Sequence, residues 1–357
     1  FHTDDDLKWL HGMLVASMSW IIAMLLSAIP LYLSGHFGSF LDACFDAMSG
    51  FATTGLTLAN NIDRFSYAHN MWRHFIMFIG GQGIVVLALA FLMGGASGSF
   101  RMYVGEARDE KILPNVIQTA RFIWFVSIVY LILGTISLAT VAVFEGMPLI
   151  KSIFHGMWIF MAAFDTGGFA PQSQNILYYH SLSFEVVTIF IMLLGAINFK
   201  LHYAVWTGNR REIYKNIETI TLFITIALTF LVVCFGLWKT NVYPDAISMF
   251  RKGFYQLISG HTGTGYMTIY AKQFINEWGA LAMVGVTIAM AFGGSACSTT
   301  GAIKVLRIGL LYKALRQDIK QLLVSESTVL IEKFHHIKEI ILNDKQVRSV
   351  FLVTLSY

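Results

Sequence analysis

The chain has 357 residues, 56% hydrophobic and only 13% charged, with a formal net charge of +4. A soluble domain carries roughly a quarter charged residues, so this composition excludes one and points to a protein that crosses a membrane several times. The small positive excess fits cytoplasmic loops rather than a nucleic-acid surface, and three cysteines (Cys44, Cys234 and Cys297) make no disulfide framework and read as packing residues.

The chain opens on the polar run Thr3-Asp4-Asp5-Asp6, which is not a signal peptide. Residues 12–34 form a first span, long enough to cross roughly 30 Å of hydrocarbon, with Pro30 tolerable near its end. Residues 37–50 are shorter and carry Asp42 and Asp46. They read as a helix that dips into the membrane and ends at Thr53, with Asp42 capping it. Residues 60–69 form an outer loop. Residues 71–93 return across, with Gly80-Gly81-Gln82-Gly83 placed where another backbone can approach closely. The stretch 101–121 is polar and basic. Residues 122–144 span again, 151–164 form a second short helix, and 184–206 cross back. Residues 220–238 span a third time, 246–259 form a third short helix, and 278–311 recross. The basic residues Arg101, Arg108, Lys111, Arg210, Arg211, Lys215, Arg307, Lys313 and Arg316 share one side, which the positive-inside rule makes cytoplasmic.

Each short helix runs into a glycine segment of one shape. These are Thr53-Thr54-Gly55-Leu56, Thr166-Gly167-Gly168-Phe169 and Gly263-Thr264-Gly265-Tyr266. Their glycines Gly55, Gly168 and Gly265 stand 113 and 97 residues apart, a period suited to a span–short helix–loop–span unit repeated around an axis. Residues 262–266 come close to the Thr-Val-Gly-Tyr-Gly run that strips water from potassium in ion channels. A dehydrated cation needs oxygens in place of its hydration shell, and a stack of inward backbone carbonyls supplies them. Aiming successive carbonyls one way takes backbone angles that glycine tolerates. The bulky fourth residue is expected to point away from the ion and wedge the loop in place. The fold class expected is an all-α polytopic membrane protein. Residues 1–100, 101–215 and 216–325 form one repeat each, and 326–357 form a cytoplasmic connector and the start of a fourth, marked by the apolar run 351–355.

The last return span is interrupted in its middle by Gly293-Gly294-Ser295-Ala296-Cys297-Ser298-Thr299-Thr300-Gly301. Irregular backbone at membrane depth survives only against protein or water. Two readings stand: a kink packed on its neighbours, or a loop lying in the cavity beneath the third glycine segment and blocking it. Residues 312–344 read as a cytoplasmic connector, with Asn343-Asp344 starting a helix.

The segments FDAMSGFATTGLT (45–57), WRHFIMFIGGQGIVVLA (72–88), FDTGGFAP (164–171), HTGTGY (261–266) and GGSACSTTGAIKVLRI (293–308) resemble, as a set, the Trk/Ktr/HKT superfamily of potassium transporters, and within it the Trk-type pore subunit. The resemblance implies a pseudo-fourfold ring of helix–pore loop–helix repeats, three of them here. It makes the glycine segments three of four selectivity filters and the 293–301 run a gating loop. It implies potassium uptake at the prokaryotic inner membrane, a homodimer, and a cytosolic ring of nucleotide-binding regulatory subunits. Glycine rather than serine at position 55 goes with potassium over sodium in this family. The fourth filter and return helix, and two helices that precede the first repeat, are not in this sequence. The alternatives are a sodium-permeable relative and a non-conducting scaffold for the regulatory ring.

No dinucleotide fingerprint, nucleophile elbow or zincin motif occurs, so neither an enzyme, a cofactor nor a nucleic-acid partner is expected. Potassium is the substrate, and the lipid bilayer is the surrounding partner. Asp165 either concentrates cations or braces the second segment through backbone N–H groups. Lys304 sets an electrostatic barrier, pairs with an acid, or is an ordinary cytoplasmic-side lysine. His74 and His202 read as packing residues, and Arg73 as meeting headgroups or a helix end.

Overall fold

The computed structural model describes residues 9–83, 86, 115–324 and 331–357. The first helices are α1 (Trp9–Leu33), α2 (Phe40–Phe51) and α3 (Tyr67–Gln82). Then come α4 (Val116–Phe144), α5 (Leu149–Phe164), α6 (Leu182–Ala196) and α7 (Phe199–Trp206). Next are α8 (Ile217–Thr240), α9 (Ala246–His261), α10 (Gly279–Ala291) and α11 (Val305–Leu322). A hairpin of β1 (Lys333–His336) and β2 (Lys338–Ile341), antiparallel with Phe334 opposite Ile340, precedes α12 (Asp344–Ser356).

Among the described residues, α1 from His11 onward, α4 and α8 are each long and apolar enough to cross a membrane. Their outer faces support this. Leu14, Ile22 and Leu26 on α1, Ile132, Leu133 and Ile136 on α4, and Leu228 and Leu231 on α8 are all exposed. On a water-facing helix such a row would be an association patch; in a bilayer it is the lipid-facing surface. The run expected to cross over 184–206 is instead broken at Ile197-Asn198 between α6 and α7. Asn198 is buried and caps α7, its Oδ1 accepting from the Lys200 N–H at 2.9 Å. A cap set into an apolar run starts a new helix there. Helix α3 ends at Gly83, whose φ of +97° stops it. Most of the 84–93 stretch expected to complete that span lies outside the described residues, as do Arg101, Arg108 and Lys111.

The short helices α2, α5 and α9 start and stop close to where the sequence places them. One cap is corrected. Ser39, not Asp42, caps α2: its Oγ accepts from the Asp42 N–H at 3.1 Å, and Asp42 lies in the first turn, where a carboxylate still favours the positive helix end. The helix start at Asn343 is present as a capping box with Gln346. Among its described residues, the connector expected over 312–344 includes the later part of α11 and the β-hairpin.

The chain forms two compact units. One comprises Phe1–Gly195 with Thr264–Ala271, the other Ala196–Gly263 with Lys272–Tyr357. In the first, α2 lies between α1 and α3, and α5 packs along α4 and against α3. Its core includes Ala28, Leu31, Ala43, Ala47, Phe51 and Ile76. In the second, α9 and α10 pack against α8, and α11 joins them. A separate core gathers Ile217, Leu310, Ala314, Phe334, Leu342 and Val350, seating the hairpin and α12 on α8 and α11.

Candidate functional site

The glycine segments share one backbone conformation. Thr53, Thr166 and Gly263 have φ of +50°, +51° and +75°, and two residues on, Gly55, Gly168 and Gly265 have +77°, +77° and +80°. Left-handed residues at alternate positions turn successive carbonyls toward the same side. The helices prepare this turn. Beyond α2, the Thr54 N–H reaches back to the Ser49 carbonyl at 2.8 Å, and beyond α5 the Gly167 N–H reaches the Ala162 carbonyl at 2.8 Å. Both are six-residue closures around a left-handed threonine, so the same local device launches the first two segments.

Within the first unit these segments touch in a repeating way. A Cβ on Gly55 would overlap the carbonyl oxygen of Gly167, and a Cβ on Gly168 would overlap that of Thr264. Each glycine thus admits the carbonyl before its counterpart in the next segment. At Gly265 no described atom comes within 4 Å of the Cβ position.

Wedging by the fourth residue holds at two positions. Phe169 and Tyr266 are buried. The Tyr266 hydroxyl donates toward the carbonyl oxygens of Phe169 at 3.0 Å and Ile159 at 3.2 Å, tying the third segment to the second. Leu56 departs from the expectation: it is 59% exposed. None of the described side chains of the first unit covers it.

Arg73 is not at a headgroup. It is 1% exposed, and its Nε donates to Asp46 Oδ2 at 2.8 Å and its Nη2 to Oδ1 at 3.2 Å. Asp46 Oδ1 also accepts from the Thr57 hydroxyl at 2.5 Å, directly after the first segment. The guanidinium carbon of Arg73 lies 4.0 Å from the centre of the Phe169 ring, in the second segment. One buried ion pair therefore braces two segments, with the aromatic face offsetting part of the cation's desolvation. The signal available in the sequence was an arginine inside an apolar run, which needs a partner at depth; Asp46 is the acid one short helix away.

The Gly80-Gly81-Gln82 run on α3 acts on the same two segments. A Cβ on Gly80 would overlap the Phe51 backbone, and one on Gly81 would overlap the Asp165 side chain. Gln82 Nε2 donates to Asp165 Oδ1 at 2.7 Å, and the Ser127 hydroxyl donates to Gln82 Oε1 at 2.9 Å. Asp165 is fully buried, and the donor that meets it at Oδ1 is the Gln82 side-chain amide rather than the backbone N–H groups expected. His74 is likewise a packing residue, its Nδ1 2.7 Å from the Asn70 carbonyl oxygen and its ring stacked on Trp158.

In the second unit, residues 293–301 form a closed loop between α10 and α11. The Gly293 N–H donates to the Ile303 carbonyl at 2.9 Å and the Ile303 N–H to the Ala291 carbonyl at 3.2 Å, closing the stem. Inside, the Gly294 N–H donates to Thr300 Oγ1 at 2.8 Å and the Ser298 hydroxyl to the Ser295 carbonyl at 2.6 Å. Lys304 donates its ammonium to the Thr300 carbonyl, so its charge serves the loop's own backbone. Among the described residues no group of three His, Cys, Asp or Glu side chains could hold a metal ion.

Long apolar helices with exposed apolar faces, and short helices that lead to glycine segments of one repeated left-handed backbone, fit a polytopic cation-transport protein. The chain belongs to the TrkH family of cation transport proteins, whose family model matches residues 2–357. It is 31% identical to an uncharacterised cation transporter of Methanocaldococcus jannaschii over 99% of this chain and 68% of that protein. It is 32% identical to the Trk system potassium uptake protein TrkG of Escherichia coli over 98% of this chain and 71% of that one. The crystal structure of the potassium transporter TrkH from Vibrio parahaemolyticus superposes on all of this chain and 71% of its own, with a TM-score of 0.78 at 25% identity. The chain therefore spans about two thirds of the length of these relatives.

Proposed function

We propose that this chain builds the conducting path of a potassium uptake system in the prokaryotic inner membrane. Residues 53–56, 166–169 and 263–266 supply backbone carbonyls to dehydrated potassium, and residues 293–301 gate the path. The observation that carries this reading is the alternating left-handed backbone at Thr53/Gly55 and Thr166/Gly168, which recurs at Gly263/Gly265. It is joined by the repeated approach of a neighbouring carbonyl to Gly55 and Gly168. In this reading the three segments belong to a ring of helix–pore loop–helix repeats. Uptake runs down the membrane potential, worth about 2.3 kcal/mol per charge per 100 mV. A homodimer and a cytosolic nucleotide-binding ring complete the assembly, and the ring acts on the gate.

The test uses the complete transporter in liposomes. Gly55→Ser is expected to lower the potassium-to-sodium flux ratio, because a side chain there must displace the Gly167 carbonyl. An unchanged ratio would remove the filter assignment. A wild-type protein that binds the regulatory ring yet passes neither ion would leave the scaffold reading. Orientation is checked separately: a cysteine at Asn61 should react with an impermeant thiol reagent added outside and one at Asn209 should not, and the reverse pattern overturns the topology.

A further inference from the structure

The crown of the 293–301 loop is held from outside by neighbours in its own unit. The Ser295 N–H donates to the Ala196 carbonyl at 2.9 Å, and the Cys297 carbonyl accepts from the Phe199 N–H at 3.4 Å. Between them, the Ala296 N–H donates to Glu218 Oε1 at 2.6 Å. Glu218 is the charged holder of the three, and charge-assisted hydrogen bonds are about twice as strong as neutral ones. It lies in the first turn of α8 and is 1% exposed. Its other oxygen, Oε2, accepts from Asn198 Nδ2 at 3.1 Å. Asn198 caps the helix whose Phe199 N–H holds Cys297. One carboxylate thus fastens the loop directly and through the α6–α7 break.

The same turn is where the cytoplasmic hairpin is fixed. Glu212 Oε1 accepts from the Ile337 N–H at 2.9 Å and from Asn216 Nδ2 at 3.3 Å, while Oε2 meets His335 Nε2 at 3.0 Å. Burial pushes the Glu212 carboxyl up, but the His335 bond and these N–H groups outweigh it and hold the group below its ordinary value. His336 Nδ1 lies 3.4 Å from Asn216 Oδ1 and 3.9 Å from Glu218 Oε2. Asn216 in turn caps α8 by accepting from the Glu218 N–H at 2.9 Å. Phe334 anchors the hairpin in the apolar core with Ile217 and Leu310. The hairpin and residues 212–218 are therefore tied by hydrogen bonds and apolar packing.

We propose that Glu218 is the positioning residue that latches the 293–301 loop, and that the hairpin Lys333–Ile341 is the handle by which a cytosolic protein partner releases it. This rests on the gating reading above. A pull on the hairpin drags Glu212, Asn216 and Glu218, and lengthens the Glu218–Ala296 bond before it disturbs the loop's own stem. The loop's internal bonds, from Gly294 to Thr300 and from Ser298 to Ser295, stay intact, so it swings out as a folded unit.

The experiment measures potassium flux per folded protein in liposomes holding the complete transporter, with and without its regulatory subunits. Glu218→Gln puts an amide donor against either Asn198 or the Ala296 N–H. It should raise partner-free flux by roughly tenfold, the change expected on losing one charge-assisted bond, while leaving the potassium-to-sodium ratio unaltered. Glu218→Asp keeps the charge on a shorter arm and should fall between wild type and Glu218→Gln. His336→Ala should lower the stimulation by the subunits. A variant lacking residues 295–298 reads the gate by itself. If that deletion raises partner-free flux and Glu218→Gln does not, the latch is overturned and the gate stands. If neither raises it, the gating reading falls and the latch with it. Less folded protein with unchanged flux per folded molecule would make Glu218 a structural residue only and overturn the proposal. Should Glu218→Gln fail to fold, Glu218→Asp decides by the same readout.

Discussion

Replacing Arg73 by alanine should cost about 3–5 kcal/mol of stability, the range for breaking a buried pair and leaving one charge unpaired. The orphaned partner is Asp46, itself 1% exposed. Thr57 alone then has to satisfy it, since the bonds from Arg73 at 2.8 and 3.2 Å are gone. The loss also empties the space beside the Phe169 ring, so both segments that the arginine braces become free to move. A thermal melt of the complete transporter in detergent measures the first effect, and the potassium-to-sodium flux ratio, which should fall, measures the second. Removing Asp46 as well, in the Asp46→Ala/Arg73→Ala double variant, should recover part of the stability because no charge is then stranded. That variant should not recover the selectivity, since the link to Phe169 stays absent. A single variant as stable as wild type would show that the pair braces nothing.

Gly168→Ala is expected to be among the most damaging single methyl groups at the described glycines. Two separate costs meet there. A φ of +77° is unfavourable for any residue with a Cβ, by about 1–2 kcal/mol. In addition, the methyl would overlap the Thr264 carbonyl oxygen, a backbone atom with no rotamer to move to. The carbonyl has to turn, and a carbonyl turned away from the path cannot coordinate a bare cation. Potassium flux should drop by an order of magnitude or more with membrane insertion intact. The contrast lies at Gly263, also left-handed at +75° but with nothing within 4 Å of its Cβ position. Its counterparts Thr53 and Thr166 carry side chains at φ near +50°. Gly263→Thr should therefore be mild. Equal damage from both substitutions would show that backbone angle alone matters and that the carbonyl contact does not.

Much of this organisation is written in local chemistry. The spans follow from long apolar runs. The short helices α2, α5 and α9 follow from apolar stretches that end in small polar residues. The unusual backbone at Gly55, Gly168 and Gly265 follows from the recurrence of glycine at one place relative to those helices. The break at 293–301 follows because a run of glycine, serine and threonine cannot propagate a helix against competing side-chain hydrogen bonds. Such features depend on a residue and its near neighbours in sequence, which is why they are legible without a structure.

What only the tertiary structure decided is which distant residues meet. Arg73 had no partner in its own run, and Asp46 reaches it from 27 residues away. Asp165 is met at one carboxylate oxygen by Gln82, 83 residues away, in a fully buried site. Leu56 matched Phe169 and Tyr266 in pattern but not in burial, because a wedge needs a wall and the pattern does not supply one. Glu218 lies in the first turn of α8, and folding sets it against Ala296, 78 residues on, and beside the β-hairpin. A buried charge is tolerable only where a complementary group arrives to satisfy it. That arrival is a property of chain topology, so the sequence marks which residues need partners and the fold alone determines who they are.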